Sequence, residues 1–281
     1  MPGIACGRPS AAGGVVVVDL LALLGIGLLT GVTTVLFGFG GGFVAVPVVV
    51  WADSALGADA IRVATATSAV VMVVNAGFAT AVTPRRVLAA LRGSGPLLPV
   101  LAAGSSAGAL AARVAPAALI RWAFVAYVAL TVVDLLLRPG FLRPRAPAGV
   151  AACGAPRPLP VVVGVPVGAV AAFLGVGGSV LTVPAMRRAG HTMRVATALA
   201  NPLTLAIALP AAVVFLAGAQ GLAGAHAHLV GLVDLRAAAG LLLGALPVIA
   251  VLRRRPPRIP DRVHAWTYVA LLGAVTVAMV L

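Results

Sequence analysis

Long apolar runs separated by short polar breaks cover most of the chain and predict a series of helices. A helix needs about 20 residues to cross the apolar core of a bilayer, and most of these runs approach that length. The pattern therefore predicts an all-α, polytopic membrane protein. The predicted segments are Val15–Phe37, Phe43–Trp51, Val63–Val82, Gly95–Ala112, Ala117–Leu137, Pro160–Leu174, Val180–Met186, Met193–Ala217, Leu229–Leu252 and Val263–Leu281.

Two of these segments, Phe43–Trp51 and Val180–Met186, are too short to cross a bilayer alone. Each follows a glycine cluster, so each is expected to form a glycine-broken helical hairpin with the segment before it. Such a hairpin returns to the side of the membrane from which it came. Three spanning helices follow each hairpin, which gives about 8 full spans in all.

A short sequence motif occurs twice in this chain. The stretches "FGFGGGFVAVP" (Phe37–Pro47) and "FLGVGGSVLTVP" (Phe173–Pro184) are each followed by "RVATA", at Arg62–Ala66 and Arg194–Ala198. The offset from one proline to the other is nearly the same as the offset between the two arginines, with a slightly shorter spacer in the second copy. This duplication predicts two related membrane halves.

The predicted halves are residues 1–137 and 160–281, joined by an Arg- and Pro-rich cytoplasmic linker at 138–159. A hairpin followed by three crossings ends on the opposite side of the membrane, so the second half starts from the other face. The halves are therefore predicted to be inverted repeats, an architecture in which transporters hold their substrate near the midplane.

The charge of +14 comes from 20 arginines against six aspartates. With the predicted topology, five arginines lie on the side of the N-terminus and fifteen on the other side. Positive residues in short loops remain in the cytoplasm, so the Arg-rich loops are predicted to be cytoplasmic and both termini outside. Topology thus explains the charge without nucleic acid, and Arg62 and Arg194 are interpreted as anchors at helix entrances.

The glycine turns are the first candidate binding element. Non-helical backbone inside a membrane is tolerated only where it is buried in protein or lines a cavity. A new helix begins after each turn, and its first N–H groups carry partial positive charge. Two such ends near the midplane predict an anion site, whereas close helix packing is the alternative role for the glycines. The candidate residues are Gly40, Gly41, Gly42, Pro47, Gly177, Gly178, Ser179 and Pro184.

Polar residues on the helices after each turn add to this candidate substrate site. They are Thr65, Thr67, Ser68 and Asn75 in the first half, and Thr197 and Asn201 in the second. Asn75 and Asn201 are the stronger candidates, because an amide buried in a membrane needs hydrogen-bond partners. A bond to the helix backbone is the alternative for Thr65 and Thr197.

Catalytic and metal chemistry find little support in the sequence. Cys6 and Cys153 fall outside the apolar runs, and the two histidines of "HAH" (His226–His228) have no third ligand nearby. The chain is therefore predicted to be no enzyme and to hold no cofactor or metal. Asp19 is the candidate for a proton-coupling carboxylate, with an interfacial position as the alternative.

The stretches "GFGGGFVAVP" and "GVGGSVLTVP", with the paired "RVATATS" and "RVATALA", resemble the TauE/SafE family of sulfite exporters, also described as the toluene-sulfonate uptake permease group. The resemblance covers nearly the whole chain. It implies a multi-pass transporter of the bacterial inner membrane that handles sulfite, sulfonates or other sulfur-containing anions. The substrate region it implies is Gly40–Pro47 with Thr65–Ser68, and Gly177–Pro184 with Thr197.

The function expected from these observations is secondary transport of a small anion, with export of a sulfur oxyanion as the leading hypothesis. The expected partners are that anion, the lipid bilayer and a coupling proton or ion, and a homo-oligomer is compatible with the sequence. A passive anion channel is one alternative, and a non-transporting scaffold or accessory subunit is another.

Overall fold

The computed structural model describes residues 11–52, 57, 59–89, 91, 95–138, 140–142, 163–188, 190–217, 229–255 and 257–280, with side chains from Leu21 onward except that of Ala52. Several predictions lie outside these described residues. They concern Cys6, the Asp19 side chain, residues 143–159 of the predicted linker with Cys153, and His226–His228.

The described residues are mostly helical. The first half of the chain contains α1 (Ala11–Phe37), α2 (Gly42–Ala52), α3 (Ala60–Ala81), α4 (Arg85–Leu88), α5 (Leu97–Val114) and α6 (Ala117–Leu137). The second half contains α7 (Gly164–Leu174), α8 (Ser179–Arg188), α9 (Met193–Leu216), β1 (Leu229–Val230), β2 (Val233–Asp234), α10 (Leu235–Arg254) and α11 (Asp261–Val280).

Six of the described helices are long and apolar enough to cross a membrane: α3, α5, α6, α9, α10 and α11. Leu21–Phe37, Gly42–Trp51 and Gly164–Leu174 are shorter apolar helical stretches. The protein is thus a multi-pass membrane protein, as expected. The total of about eight full spans stays a prediction.

One predicted segment begins in the wrong place. Leu229–Asp234 form an antiparallel two-stranded hairpin rather than the first turns of a helix, and Gly231 makes its turn with φ 63°. The Asp234 side chain then caps α10 by accepting from the N–H of Arg236 at 2.7 Å and of Ala237 at 3.0 Å. A capping aspartate offers the backbone a non-helical start, so the helix begins at Leu235.

Glycines bring helices of the two halves into backbone contact. A Cβ atom on Gly31 of α1 would lie 2.6 Å from the Ala245 carbonyl oxygen of α10. In the same way, a Cβ atom on Gly108 of α5 would collide with the backbone of Ala169 in α7. Without a hydrophobic force between helices in lipid, such close backbone approach is what holds them together.

Ion pairs join the helix ends on one side of the bundle, which we call the Arg-rich face because Arg187, Arg188 and Arg194 lie there. Arg187 is fully buried, pairs with Asp261 and donates from Nε to the Phe141 carbonyl oxygen at 3.1 Å. Asp261 also accepts from the N–H of Met193 at 2.9 Å. These bonds fix the end of α8 against the starts of α9 and α11.

Hydrogen bonds to main-chain oxygens join the elements on the opposite face. Arg62 donates from Nη2 to the Ala115 carbonyl oxygen at 2.7 Å and pairs with Asp59 at 3.2 Å. Arg121 donates from Nε to the Met279 carbonyl oxygen at 3.1 Å. Arg62 therefore holds the start of α3 against the α5–α6 connection, as an anchor would.

We expect Gly108→Ala to lower the free energy of unfolding by about 1–3 kcal/mol, because the added methyl group forces α5 away from α7. Gly273→Ala is the matched control. No atom lies within 4 Å of its Cβ position, so there the same change is expected to be neutral or to stabilise by up to about 1 kcal/mol. Thermal unfolding in detergent measures both, and equal shifts would contradict this view of the interface.

We expect Arg187→Met and Asp261→Asn each to destabilise the protein by about 1–3 kcal/mol. The first change leaves the buried Phe141 carbonyl oxygen without its donor, and the second leaves the buried guanidinium group without its charge partner. The double variant should lose less than the sum of the two singles. The asparagine keeps an oxygen that can accept from the Met193 N–H. The double-mutant cycle therefore measures the interaction of Arg187 with the Asp261 carboxylate alone. Strictly additive losses in the same unfolding assay would show that the pair contributes nothing.

Candidate functional site

Both predicted glycine turns lie in the interior of the protein and reverse the chain there. Gly38, Gly40 and Gly41 have φ values of 75°, 64° and 85°, and Gly175 and Gly177 have values of 68° and 70°. All are buried. Only glycine adopts such left-handed angles at low cost, so these sharp reversals between α1 and α2 and between α7 and α8 require it.

The two turns meet at the centre of the bundle, on the same two side chains. A Cβ atom on Gly40 would lie 3.0 Å from Thr204 Cγ2 and 3.3 Å from Met72 Cγ. A Cβ atom on Gly177 would lie 2.9 Å from Met72 Sδ and 3.0 Å from Thr204 Cγ2. Met72 and Thr204 lie near the middles of α3 and α9, so the turns sit deep between those helices.

Each turn packs against the "RVATA" helix of the other half. A Cβ atom on Gly38 would lie 2.6 Å from the Thr197 carbonyl oxygen, and one on Gly175 would lie 3.0 Å from Thr65 Cγ2. Thr65 and Thr197 are each the threonine of their own "RVATA" copy. The two contacts therefore occupy equivalent positions in the repeat.

Side-chain hydroxyls bond the carbonyl groups that the turns leave free. Ser68 donates from Oγ to the Gly175 carbonyl oxygen at 3.0 Å, and Thr204 donates from Oγ1 to that of Gly38 at 3.5 Å. Each bond crosses from one half of the chain to the other. The turns are thus held in place by polar groups as well as by close contact.

Asn75 is the most informative predicted residue. It is fully buried, and neither its Nδ2 nor its Oδ1 has a hydrogen-bond partner among the described residues. Its Nδ2 atom lies 2.8 Å from a Cβ position on Gly41, immediately before the start of α2. Leaving a buried polar group unpaired costs about 1–3 kcal/mol, so this amide faces a place suited to a polar ligand or water.

Other buried polar atoms in this region also lack described partners. Asn201 donates from Nδ2 to the Thr197 carbonyl oxygen at 3.2 Å, but its Oδ1 is unpaired. The hydroxyls of Ser179 and Thr182, in the first turn of α8, are unpaired as well. Unused hydrogen-bonding capacity is therefore found beside both short helices.

The short helices add unpaired main-chain groups of their own. The first N–H groups of α2 and α8, which begin at Gly42 and Ser179, have no partner within the helix. Pro47 and Pro184 lie inside these helices and lack an N–H, which leaves the carbonyl groups four residues earlier without their usual donor. Both helices thus start with positive partial charge at the centre of the protein.

The predicted threonines divide between two roles. Thr65 donates to the Ile61 carbonyl oxygen at 2.8 Å and Thr197 to that of Arg194 at 3.2 Å, so both hydroxyls bond their own helices. Thr67 instead accepts from the N–H of Asp234 at 2.9 Å. That bond places the β1–β2 hairpin over α3, on the face opposite the Arg-rich face.

Aromatic side chains surround the first turn. Phe39 packs between Phe43 and Tyr268, with ring centroids 4.9 and 5.1 Å apart, and Phe37 lies 5.7 Å from Tyr268. The Tyr268 hydroxyl donates to the Ser179 carbonyl oxygen at 3.3 Å. Tyr268 therefore links the first turn to the start of α8.

Met72 and Thr204, the side chains shared by the two turns, were not predicted from the sequence. The sequence did contain a signal for them, namely their equivalent positions in the repeat. Met72 follows Arg62 by the same number of residues as Thr204 follows Arg194. A methionine paired with a threonine does not resemble a repeated motif, however. Thr182 was not singled out by its own chemistry, but it lies within Gly177–Pro184, the region that the family resemblance implies.

Cavities open on both faces of the bundle, and the one on the Arg-rich face reaches the second "RVATA" helix. A cavity of about 410 Å³ on the Arg-rich face reaches Thr197 and Ala198 of α9. We call it the Arg-lined cavity, because Arg194, Arg253 and Arg258 line it.

Within the described residues, no group of three or more His, Cys, Asp or Glu side chains could hold a metal ion.

Comparison with known proteins places these features in a family. No curated protein and no solved structure matches the chain. The family model described as sulfite exporter TauE/SafE matches residues 23–279. Because this match spans both glycine turns, both "RVATA" helices and all six candidate membrane helices, the chain belongs to the sulfite exporter TauE/SafE family.

Proposed function

We propose that this protein is a secondary transporter that exports sulfite or a related sulfur-containing organic anion across the bacterial plasma membrane. The family consists of membrane transporters of sulfur-related anions rather than of enzymes. The anion would be bound where the two glycine turns meet. A proton gradient, another ion gradient or the gradient of the anion itself would drive its movement.

The unpaired amide of Asn75 is the observation that carries this proposal. It lies beside Gly41, next to the first N–H groups of α2. An oxyanion at this place would accept from Nδ2 and from backbone N–H groups together. The helix dipole would favour its charge, and no arginine would have to be desolvated at the centre of the bilayer.

The remaining candidate residues would complete the site from both halves. Asn201, Ser179 and Thr182 bring unpaired polar atoms from the second half of the chain. Thr67 and Ser68 would exchange their present bonds for bonds to the anion when the turns separate. The glycines and the two prolines would hold the short helices at the angle that presents their N–H groups.

The pattern of contacts supports an inverted repeat with halves 1–137 and 160–281 and a linker at 138–159. In the proposed repeat, α1 is equivalent to α7, α5 to α10 and α3 to α9. The contact of α1 with α10 is therefore equivalent to that of α7 with α5, and α3 packs on its own equivalent, α9. Gly27 and Gly31 precede Gly164 and Gly168 by the same offset that separates the two motif prolines, and all four lie at these contacts. A rotation that exchanges the halves would carry each of these contacts onto another.

Access to the proposed site supports a cytoplasm-facing arrangement. The positive-inside rule makes the Arg-rich face cytoplasmic and puts both termini outside. The Arg-lined cavity opens towards Thr197 on that face, whereas on the other face the β1–β2 hairpin covers Thr67. Transport would then require the hairpin to leave α3 while the Arg-lined cavity closes.

We expect purified protein in liposomes to carry radiolabelled sulfite in a saturable manner. Asn75→Leu should lower the rate by about tenfold or more, which corresponds to losing one hydrogen bond to a charged ligand. Its thermal stability should be unchanged or higher, because the replacement removes two unpaired polar atoms. Thr276→Val is the control, since that hydroxyl only bonds the Leu272 carbonyl oxygen of its own helix.

Each alternative function has its own result in this assay. Flux that rises with sulfite concentration without saturating would indicate a channel. Absence of flux for sulfite and for small sulfonates, in protein that unfolds cooperatively, would favour a scaffold or accessory subunit. Saturable flux untouched by Asn75→Leu would refute the site while leaving a transporter.

We expect Thr197→Cys to react with a membrane-impermeant thiol reagent applied to the Arg-rich face, and Thr65→Cys to react at least about tenfold more slowly from either face. The two positions are equivalent in the repeat and equally buried, at 2% and 1% exposure, but the Arg-lined cavity reaches Thr197. Cys6 and Cys153 are first replaced by alanine. Equal labelling rates would contradict a cytoplasm-facing arrangement.

A further inference from the structure

The Arg-lined cavity carries a strong positive charge. Arg194, Arg253, Arg258 and His264 line it, together with aliphatic side chains and Thr197, and no carboxylate belongs to its lining. Its volume of about 410 Å³ falls in the range of small-molecule sites. The cavity is therefore both large enough and basic enough to hold an anion.

Arg253 differs from the arginines whose contacts are described above. Its Nε and Nη2 atoms are buried without a hydrogen-bond partner among the described residues. Arg62, Arg121 and Arg187, by contrast, each donate to a main-chain carbonyl oxygen. Guanidinium nitrogens that are buried without a partner are costly, so an acceptor that entered the cavity would find both of these donors available.

The aspartates whose side chains are described are already engaged elsewhere. Asp59 pairs with Arg62, and Asp134 pairs with Arg138 and Arg188. The side chain of Asp234 caps α10, while Asp261 pairs with Arg187. None of these carboxylates neutralises Arg253, which leaves its charge available to a ligand.

The floor of the cavity adjoins the centre of the protein. Thr197 belongs to the lining, and its carbonyl oxygen both contacts Gly38 and accepts from Asn201. Leu36, the second residue before Gly38, belongs to the lining as well, and its carbonyl oxygen lies 2.5 Å from His264 Nε2. One turn of α9 thus separates the cavity from the proposed central site.

We propose that the Arg-lined cavity is a second oxyanion site, in which the fork of Arg253 binds a sulfite or sulfonate group before that group passes to the glycine turns. Arg194 and Arg258 add positive charge at the rim, and a guanidinium fork matches two oxygens of such a group. As a loading site for transport, the assignment rests on the proposed function. As a site that binds an anion, it stands without it.

The test is the stabilisation of purified protein by sulfite and, separately, by methanesulfonate, measured as a shift in thermal unfolding. The measurement uses Asn75→Leu protein, so that binding at the central site is already weakened. Arg253→Gln should raise the apparent dissociation constant by about tenfold or more, which is the loss expected for a charged hydrogen-bonded contact. Arg253→Lys should recover part of the loss, because it keeps the charge but not the fork.

Arg255→Gln is the matched control, since Arg255 is exposed at the end of α10 and does not line the cavity. It removes the same charge from the same end of the same helix. Equal dissociation constants for Arg253→Gln and Arg255→Gln would overturn the proposal. An unchanged constant in Arg253→Gln would overturn it as well.

Flux separates this proposal from the proposed function. In liposomes, Arg253→Gln should raise the half-saturating sulfite concentration at the Arg-rich face by about tenfold, with the maximal rate within about twofold of wild type. If wild-type protein shows no flux but binds the anion, and Arg253→Gln loses that binding, the transporter function is refuted and this anion site is supported. Normal half-saturation in Arg253→Gln, with flux that depends on Asn75, would refute the loading site and retain the transporter.

The same oxyanion chemistry is available from an acidic lipid, so one arm of the test varies the bilayer. Nanodiscs of phosphatidylcholine are compared with nanodiscs that also contain phosphatidylglycerol. Stabilisation by free sulfite in pure phosphatidylcholine supports the solute site. Stabilisation by phosphatidylglycerol alone, lost in Arg253→Gln, would overturn it and assign the cavity to a lipid headgroup.

Discussion

The structure depends on one constraint, namely that backbone groups inside a bilayer must find partners within the protein. Two turns interrupt the helical hydrogen bonding at the centre of this molecule, and neither can be stable if it faces lipid. Each turn is therefore covered by the "RVATA" helix of the other half, with Ser68 and Thr204 donating to the carbonyl groups that remain. Each turn thus depends on a donor from the other half, which ties the folding of the two halves together.

Hydropathy and repetition predicted most of the helices, because a bilayer restricts their length and polarity so strongly. The same signals could not predict the β1–β2 hairpin, since its residues are as apolar as those of a helix start and its formation depends on the cap at Asp234. They predicted the glycine turns as buried elements. They could not show that each turn crosses to the opposite half, because sequence spacing carries no information about which helices become neighbours.

The candidate site shows a similar division. Asn75 and Asn201 stood out in the sequence because a buried amide needs partners, and both keep unpaired atoms in the structure. Met72 and Thr204 did not stand out, since their importance comes from contacts on both sides rather than from their chemistry. Arg253 was hidden among fifteen arginines assigned to one face, where topology explained them all. Two buried nitrogen atoms without a described partner, Nε and Nη2, set it apart from the paired Arg187, and only the folded structure shows this.

The shared contact of both turns with Met72 and Thr204 has a mechanical consequence. Both hairpins pack against the same two side chains, Met72 and Thr204, so a displacement of one hairpin alters the space left for the other. Methionine suits such a position, because its unbranched, polarisable side chain changes shape at little cost. In the proposed transport cycle, opening towards one side of the membrane would therefore be coupled mechanically to closing towards the other.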